Sequence, residues 1–186
     1  MSILKVSRMG HPVLRKKVKP VPVSEITTPT IQRLIDDMMQ TMVEYHGVGL
    51  AAPQVHEELR LFVAQVVTDH DKDDAEDEGD DEGGEPRPPK LMAVINPEII
   101  PVGRTVEEDW EGCLSIPDLR GLVPRHRDIK VRAHDRSGKP VEIQASGFMA
   151  RIIQHETDHL DGVLFLDRMK TLASLSFLDE YARYHA

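Results

Sequence analysis

Near the C-terminal end of this 186-residue chain, the stretch Gln154-His155-Glu156-Thr157-Asp158-His159-Leu160 constrains the fold more than any other. Upstream of it, Gly147-Phe148-Met149-Ala150-Arg151-Ile152-Ile153 sets Met149, Ile152, Ile153 and Leu160 along one apolar side of a helix, with Gly162 as its C′ stop. His155 and His159 are four residues apart, so on a helix their rings sit one turn apart on the same face. Two imidazoles placed in this way can share one metal ion. Glu156 falls beside them, where a carboxylate can take a proton from water held by that ion. The competing reading of an isolated H-E-x-x-H is a buried helix with two hydrogen-bonded histidines and a surface glutamate.

The remaining composition sets bounds. A chain of this length with 40% hydrophobic residues suits a single domain, 1–186, with a real core. It contains no run of about 18 apolar residues, so no membrane span is expected. The N-terminus, Met1-Ser2-Ile3-Leu4-Lys5-Val6-Ser7-Arg8, lacks the apolar core of a secretion signal. Cys113 is the single cysteine, which fits a reducing cytoplasm. The net charge of −9 is misleading as evidence about partners. Residues 69–85 hold eleven acidic residues and one lysine, a net −10, which leaves the rest of the chain at +1. No basic stripe remains that would recognise nucleic acid. Residues 69–89, acidic and ending in Pro86-Arg87-Pro88-Pro89, are expected to form a flexible insertion between two strands.

In chain order, residues 1–24 read as an extended arm over the surface. Thr28-Pro29-Thr30 opens a helix patterned by Ile31, Leu34, Ile35, Met38, Met42 and Tyr45, with the methionines as core filling and Gly47 as its end. Gly47-Val48-Gly49-Leu50-Ala51-Ala52-Pro53-Gln54 follows as a loop of bare backbone. It has neither the third glycine nor the Lys-Ser/Thr pair of a phosphate loop. Leu59 to Val67 and Leu91 to Ile95 read as strands, the second ended by Asn96-Pro97, and Ile99 to Val106 as a third. Ile129 to His134 and Val141 to Ala145 alternate on either side of a turn and make a hairpin. Leu172, Leu175, Leu178 and Tyr181 pattern a short final helix. Strands in runs, without β-α-β alternation, predict an α+β fold of mostly antiparallel sheets around the H-E-x-x-H helix, with an N-terminal and a short C-terminal helix.

A catalytic site of this kind needs a third protein ligand and an open position. The pattern that would supply a third histidine three residues after Gly162 reaches Phe165, which cannot ligate. Asp179 or Glu180 on the final helix is one candidate. Cys113, whose thiolate suits a borderline-soft ion, is the other.

Three segments in this order, Gly47 to Gln54, Glu111-Gly112-Cys113-Leu114-Ser115 and Gln154 to Leu160, closely resemble the three motifs of peptide deformylases. The resemblance runs from about Met9 to Asp167. It implies removal of the formyl group from the N-terminal formyl-methionine of newly made polypeptides, with release of formate. It implies one metal ion held by Cys113, His155 and His159, typically Fe²⁺, which Zn²⁺, Ni²⁺ or Co²⁺ can replace. Glu156 would shuttle the proton, and the Gln54 amide and Leu114 backbone N–H would stabilise the oxyanion. The backbone of Gly47, Val48 and Gly49 would pair with the substrate peptide. Arg120 and Arg125 occupy positions like those of arginines at the family's substrate mouth, with ion pairing to Glu111 as the alternative. Phe148, Arg151 and Ile152 lie where the family lines its methionine pocket. Asp158 is either an orienter of a ligand ring or an ordinary helix-surface residue. The partners implied are N-formyl-methionyl nascent peptides, with neither membrane nor direct nucleic-acid binding. The tail, Asp179 to Ala186, is not the basic tail through which family members dock on the ribosome, so a transient ribosome contact lacks that support.

Overall fold

The computed structural model describes residues 2–66 and 90–185. In chain order its elements are helix α1 (Pro29–Glu44), strands β1 (Gly49–Ala51), β2 (Leu61–Gln65), β3 (Leu91–Pro101), β4 (Val106–Cys113), β5 (Ile116–His126), β6 (Asp128–His134) and β7 (Pro140–Ser146), helices α2 (Gly147–Leu160) and α3 (Phe165–Arg168), strand β8 (Ser176–Phe177) and helix α4 (Leu178–Tyr184). Short 3₁₀ turns join several of them. The acidic insertion expected at 69–89 lies outside the described residues.

Two antiparallel sheets organise the described chain. One has the order β1-β2-β3-β6-β7 and the other β4-β5-β8. The five-stranded sheet is covered on both faces, and the alternation along β2 shows how. Phe62 and Ala64 point into a core with Ala150, Ile152, Ile153 and Leu160 of α2. Leu61 and Val63 point the other way, into a core with Ile31, Ile35, Met38 and Met42 of α1. Period 2 on the strand thus meets period 3.6 on each helix. The α+β, mostly antiparallel architecture is as expected, and Met38 and Met42 are fully buried filling. A third core, of Val13, Leu14, Ile116, Val123, Leu164 and Phe165, joins the smaller sheet to the N-terminal segment.

The local reading needs correction in four places. Asn96-Pro97 does not end a strand. β3 runs through it, with a break in register against β6 between Ile95 and Glu98. Asn96 has φ +55°, and its side chain bonds the backbone N–H and C=O of Val21, each at 2.8 Å. A bulge with its own partners replaces the expected turn. The first helix is stopped by His46 in the left-handed conformation (φ +54°), with Gly47 following it and donating its N–H to the Met42 carbonyl. The N-terminal segment is more than a surface arm, since Val13, Leu14, Val18 and Val21 are buried in the three cores. The final apolar pattern is also not one helix. It is a 3₁₀ turn at Leu172–Ser174, the two-residue β8 paired with Leu119 and Arg120 of β5, and then α4.

Candidate metal centre and active-site cleft

Helix α2 is enclosed on all sides from Ala150 to Leu160. A helix in that position is normally apolar all round, but this one carries Arg151, Gln154, His155, Glu156, Asp158 and His159, all buried. Most have fixed partners. Gln154 clamps the backbone of His126, accepting from its N–H at 3.0 Å and donating to its C=O at 2.8 Å. Arg151 donates to Glu111 and to the carbonyls of Val123 and Glu107. Asp158 accepts from Arg125 and Arg168. By contrast, Glu156 Oε2, Thr157 Oγ1 and His159 Nδ1 are buried without a hydrogen-bond partner. Buried polar atoms are rarely left unpaired, so the exceptions point to where the structure is arranged for something else.

Beside Glu156 lies a cleft of about 560 Å³ between β1, β4, β5 and α2, lined by Gly47, Val48, Gly49, Gln54, Cys113, Leu114, Arg120, His155 and Glu156 among others. The thiol of Cys113 and one ring nitrogen each from His155 and His159 lie within 4.8 Å of one another. Cys113 Sγ is 3.2 Å from His159 Nε2. Metal–ligand lengths of about 2.3 Å for sulfur and about 2.0–2.1 Å for nitrogen make a tetrahedral S···N edge of about 3.6 Å. The observed separation is a few tenths of an ångström shorter, so the set fits one divalent ion with little adjustment. The surroundings also favour a thiolate. Low-dielectric burial alone would raise the Cys113 thiol, but the neighbouring His159 and His155 rings hold it well below the ordinary range.

The third-ligand alternatives do not join this group. Asp179 and Glu180 sit exposed in the first turn of α4. Glu156 is beside the trio but is not part of it. Burial pushes its carboxyl up to about 7, against the pull of His155 and His159. Its carboxylate occupies the space that a Cβ on Gly49 would need, so any larger residue there must displace it. Gln54 is oriented without ambiguity. The Ala51 N–H donates to Oε1 at 2.8 Å, which turns the amide NH₂ toward Ser115 Oγ (3.1 Å) and Cys113 Sγ (3.6 Å).

The ladder explains Gly49 further. Among the described residues β1 is an edge strand paired only with β2. The Val48 carbonyl accepts from Gln65 N–H on β2. Antiparallel pairing alternates, so Gly49 and Ala51 turn their backbone groups away from β2. Gln54 takes the Ala51 N–H, while the Gly49 groups face the cleft.

The arginines divide. Arg125 is buried, donating to both oxygens of Glu111 (2.8 and 3.0 Å) and to Asp158 (2.5 Å). It is structural and does not stand at the mouth. Arg120 lines the cleft, with its guanidinium packed over Gly112. Arg151 also lines the cleft, but its charge is directed into the protein against Glu111. Asp158 touches neither histidine ring. The residue that does is Glu111, whose Oε2 lies 2.9 Å from His155 Nδ1. That bond leaves Nε2 of His155 for an ion and fixes the ring. The sequence offered Glu111 as a neighbour of Cys113 and as an ion-pair partner for the arginines, which holds for Arg125, but not as the partner of His155. The 44-residue separation from His155 hid its role.

A buried helix with two imidazoles set edge to face one turn apart, a thiolate from a facing strand and an uncommitted carboxylate beside them define a metal-dependent hydrolase centre. A sequence profile described as polypeptide deformylase matches residues 3–174. Peptide deformylase 2 of Nostoc is 40% identical over 96% of this chain and 93% of its own. The peptide deformylase of Salinibacter ruber is 43% identical over 91% and 82%. Among solved structures, peptide deformylase from Thermotoga maritima superposes with a TM-score of 0.76 at 37% identity, over 92% of this chain and all of its own. A Met-Ala-Ser-bound class I type b peptide deformylase from Acinetobacter baumannii does so with 0.76 at 35%, over 91% and 100%. The chain belongs to the peptide deformylase family, metal-dependent enzymes that remove N-formyl groups from nascent polypeptides.

Proposed function

We propose that Cys113, His155 and His159 hold one Fe²⁺, that Glu156 carries the proton, and that the formyl group of N-formyl-methionyl peptides is cleaved in this cleft. A thiolate with two imidazoles suits several divalent first-row ions, so Zn²⁺, Ni²⁺ and Co²⁺ are the substitutes, and Fe²⁺ follows from the family resemblance. Bound there, the ion supplies Lewis acidity that makes water nucleophilic near neutral pH. The chain's own residues do the rest. Glu156 accepts the proton and passes it to the leaving amine, a role for which its unpaired oxygen is free. The Gln54 NH₂ and the Leu114 N–H receive the charge that develops on the formyl oxygen. Gly49, with Gly47 and Val48 beside it, offers backbone groups to an extended peptide, which then lies as an added strand. Phe148 and Ile152, with the stem of Arg151, flank the formyl-methionine side chain, and Arg120 stands at the mouth.

Met-Ala-Ser, bound by the Acinetobacter relative, is the product that deformylation of formyl-Met-Ala-Ser leaves. The substrates are made by translation, so we place the enzyme in the cytoplasm. Among the described residues no helix is long and apolar enough to cross a membrane. The C-terminal helix carries two acidic residues in its first turn and one arginine in its last, so it offers a ribosome contact no cluster of basic residues.

The observation that carries this reading is the uncommitted Glu156 carboxylate beside the three ligands. Glu156→Gln keeps size but cannot accept the proton. Formate release from formyl-Met-Ala-Ser should fall by about 10²–10⁴-fold in kcat, with metal content near one equivalent and KM changed far less. Near-full turnover with metal in place would overturn the proton shuttle. Loss of metal would make Glu156 a ligand.

A further inference from the structure

The family match stops at residue 174, yet the chain beyond it reaches the cleft. β8 pairs with Leu119 and Arg120, so α4 begins at the mouth, and Leu178 lines the cleft itself. The helix is clamped. Tyr181 and His185, one turn apart, pack on Trp110 with ring centroids 4.9 and 5.0 Å away, and Trp110 also lines the cleft. Across the opening, Tyr45, Val48 and Phe148 are exposed and apolar, as is Leu178. Apolar side chains left exposed on both banks of a cleft mark a surface meant to be covered.

We infer that α4 builds a distal subsite that takes a large apolar or aromatic side chain of the substrate, downstream of its formyl-methionine. This rests on the deformylase reading. A peptide added along β1 passes between the two banks as it leaves the metal centre, because β1 and the β4-β5 sheet flank the same cleft. Its second and third residues therefore meet the surface that Trp110, Leu178 and Val48 present. Arg120 stands on the same bank. Its stem adds to this surface, and its charge favours an acidic or neutral downstream peptide over a basic one.

The test compares kcat/KM for formyl-Met-Ala-Ser, formyl-Met-Ala-Phe and formyl-Met-Phe-Ala on the metal-loaded full chain. The wild type should prefer the better of the two Phe peptides by about tenfold, the effect of shielding on the order of 50 Å² of apolar surface. In Leu178→Asp that ratio should collapse toward one. Tyr181→Ala, which loosens the clamp without touching the cleft, should reduce it part of the way. A wild-type ratio near one, or an unchanged ratio in Leu178→Asp, overturns the subsite while leaving the deformylase reading intact. No formate from any of the three peptides would overturn that reading first.

Discussion

Glu111 is the junction between the metal centre and the charges that hold α2 in place, so changing it tests both. Its side chain is about 4% exposed, and it meets Arg125, Arg151 and the His155 ring at once. In Glu111→Gln one amide oxygen can still accept a bond, but the buried Arg151 guanidinium loses its counter-charge and Arg125 keeps only Asp158. Removing one partner of a buried ion pair costs about 3–5 kcal/mol. Retained shape and one retained acceptor put this case near about 3 kcal/mol. For a chain of this size each kcal/mol shifts Tm by about 2–4 °C, so a fall of about 6–12 °C is expected in scanning calorimetry. The amide would also present an NH₂ either to an arginine or to the donor face of His155. Loss of the ring's orienter should weaken metal affinity about 10–100-fold, read by competition with a chelator. Asp158→Asn is the paired measurement. It removes charge from Arg125 and from the half-exposed Arg168 but touches no ligand ring. It should lower Tm by a similar or smaller amount and leave metal affinity unchanged. Equal metal affinity in wild type and Glu111→Gln, or equal weakening in both variants, would refute the assignment of Glu111 as the residue that fixes His155.

Gly49→Ala drives a methyl group into the Glu156 carboxylate, and displacement of a catalytic group on the order of 1 Å can cost about 10²-fold. Formate release should fall by about that factor while metal analysis still gives one equivalent; full activity would mean that Glu156 has room to move. Asp167 accepts from Arg15 and from the Leu164 N–H, and despite partial burial, which opposes it, these bonds hold its carboxyl below the usual range. A depressed carboxylate stabilises above its unfolded value of about 3.9 and stops doing so as pH falls through the folded one. Asp167→Asn should therefore lower Tm at pH 6, and the gap from wild type should close as pH falls below about 3.9. A gap independent of pH would show that shape rather than charge is at work.

The legibility of the chain follows how local each signal was. α2 and the β6-β7 hairpin were readable because their patterns repeat within a dozen residues: Ile152, Ile153 and Leu160 on one side of the helix, alternation on the strands. β4 left no such pattern. Val106-Glu107-Glu108-Asp109 is a charged, exposed strand start, and β5 carries Arg125, whose partners Glu111 and Asp158 lie elsewhere in the chain. The bulge at Asn96 was misread because Asn-Pro is a sound turn signal until Val21, 75 residues away, supplies the bonds that carry the strand through. Cys113, His155, His159 and Gln54 stood out as motif residues. The separation of Arg125 from Arg120, and the roles of Glu111 and Asp158, depended on which buried atoms meet across long stretches of chain. The clamp of Trp110 on α4 was equally hidden, since Tyr181 patterned only as one position of an apolar helix.

The edge strand β1 gives the cleft a sense of timing. Gly49 presents one donor and one acceptor to a recess between two sheets, and such an edge accepts only backbone that is itself extended and unpaired. An N-terminus already tied into its own protein's sheet or helix has no such backbone to offer. On the proposed mode of binding, the recess sorts chains by age as well as by their first residue. It would admit them during the interval in which an emerging terminus has left the site of synthesis, at about 5–20 residues per second, and has not yet been claimed by folding.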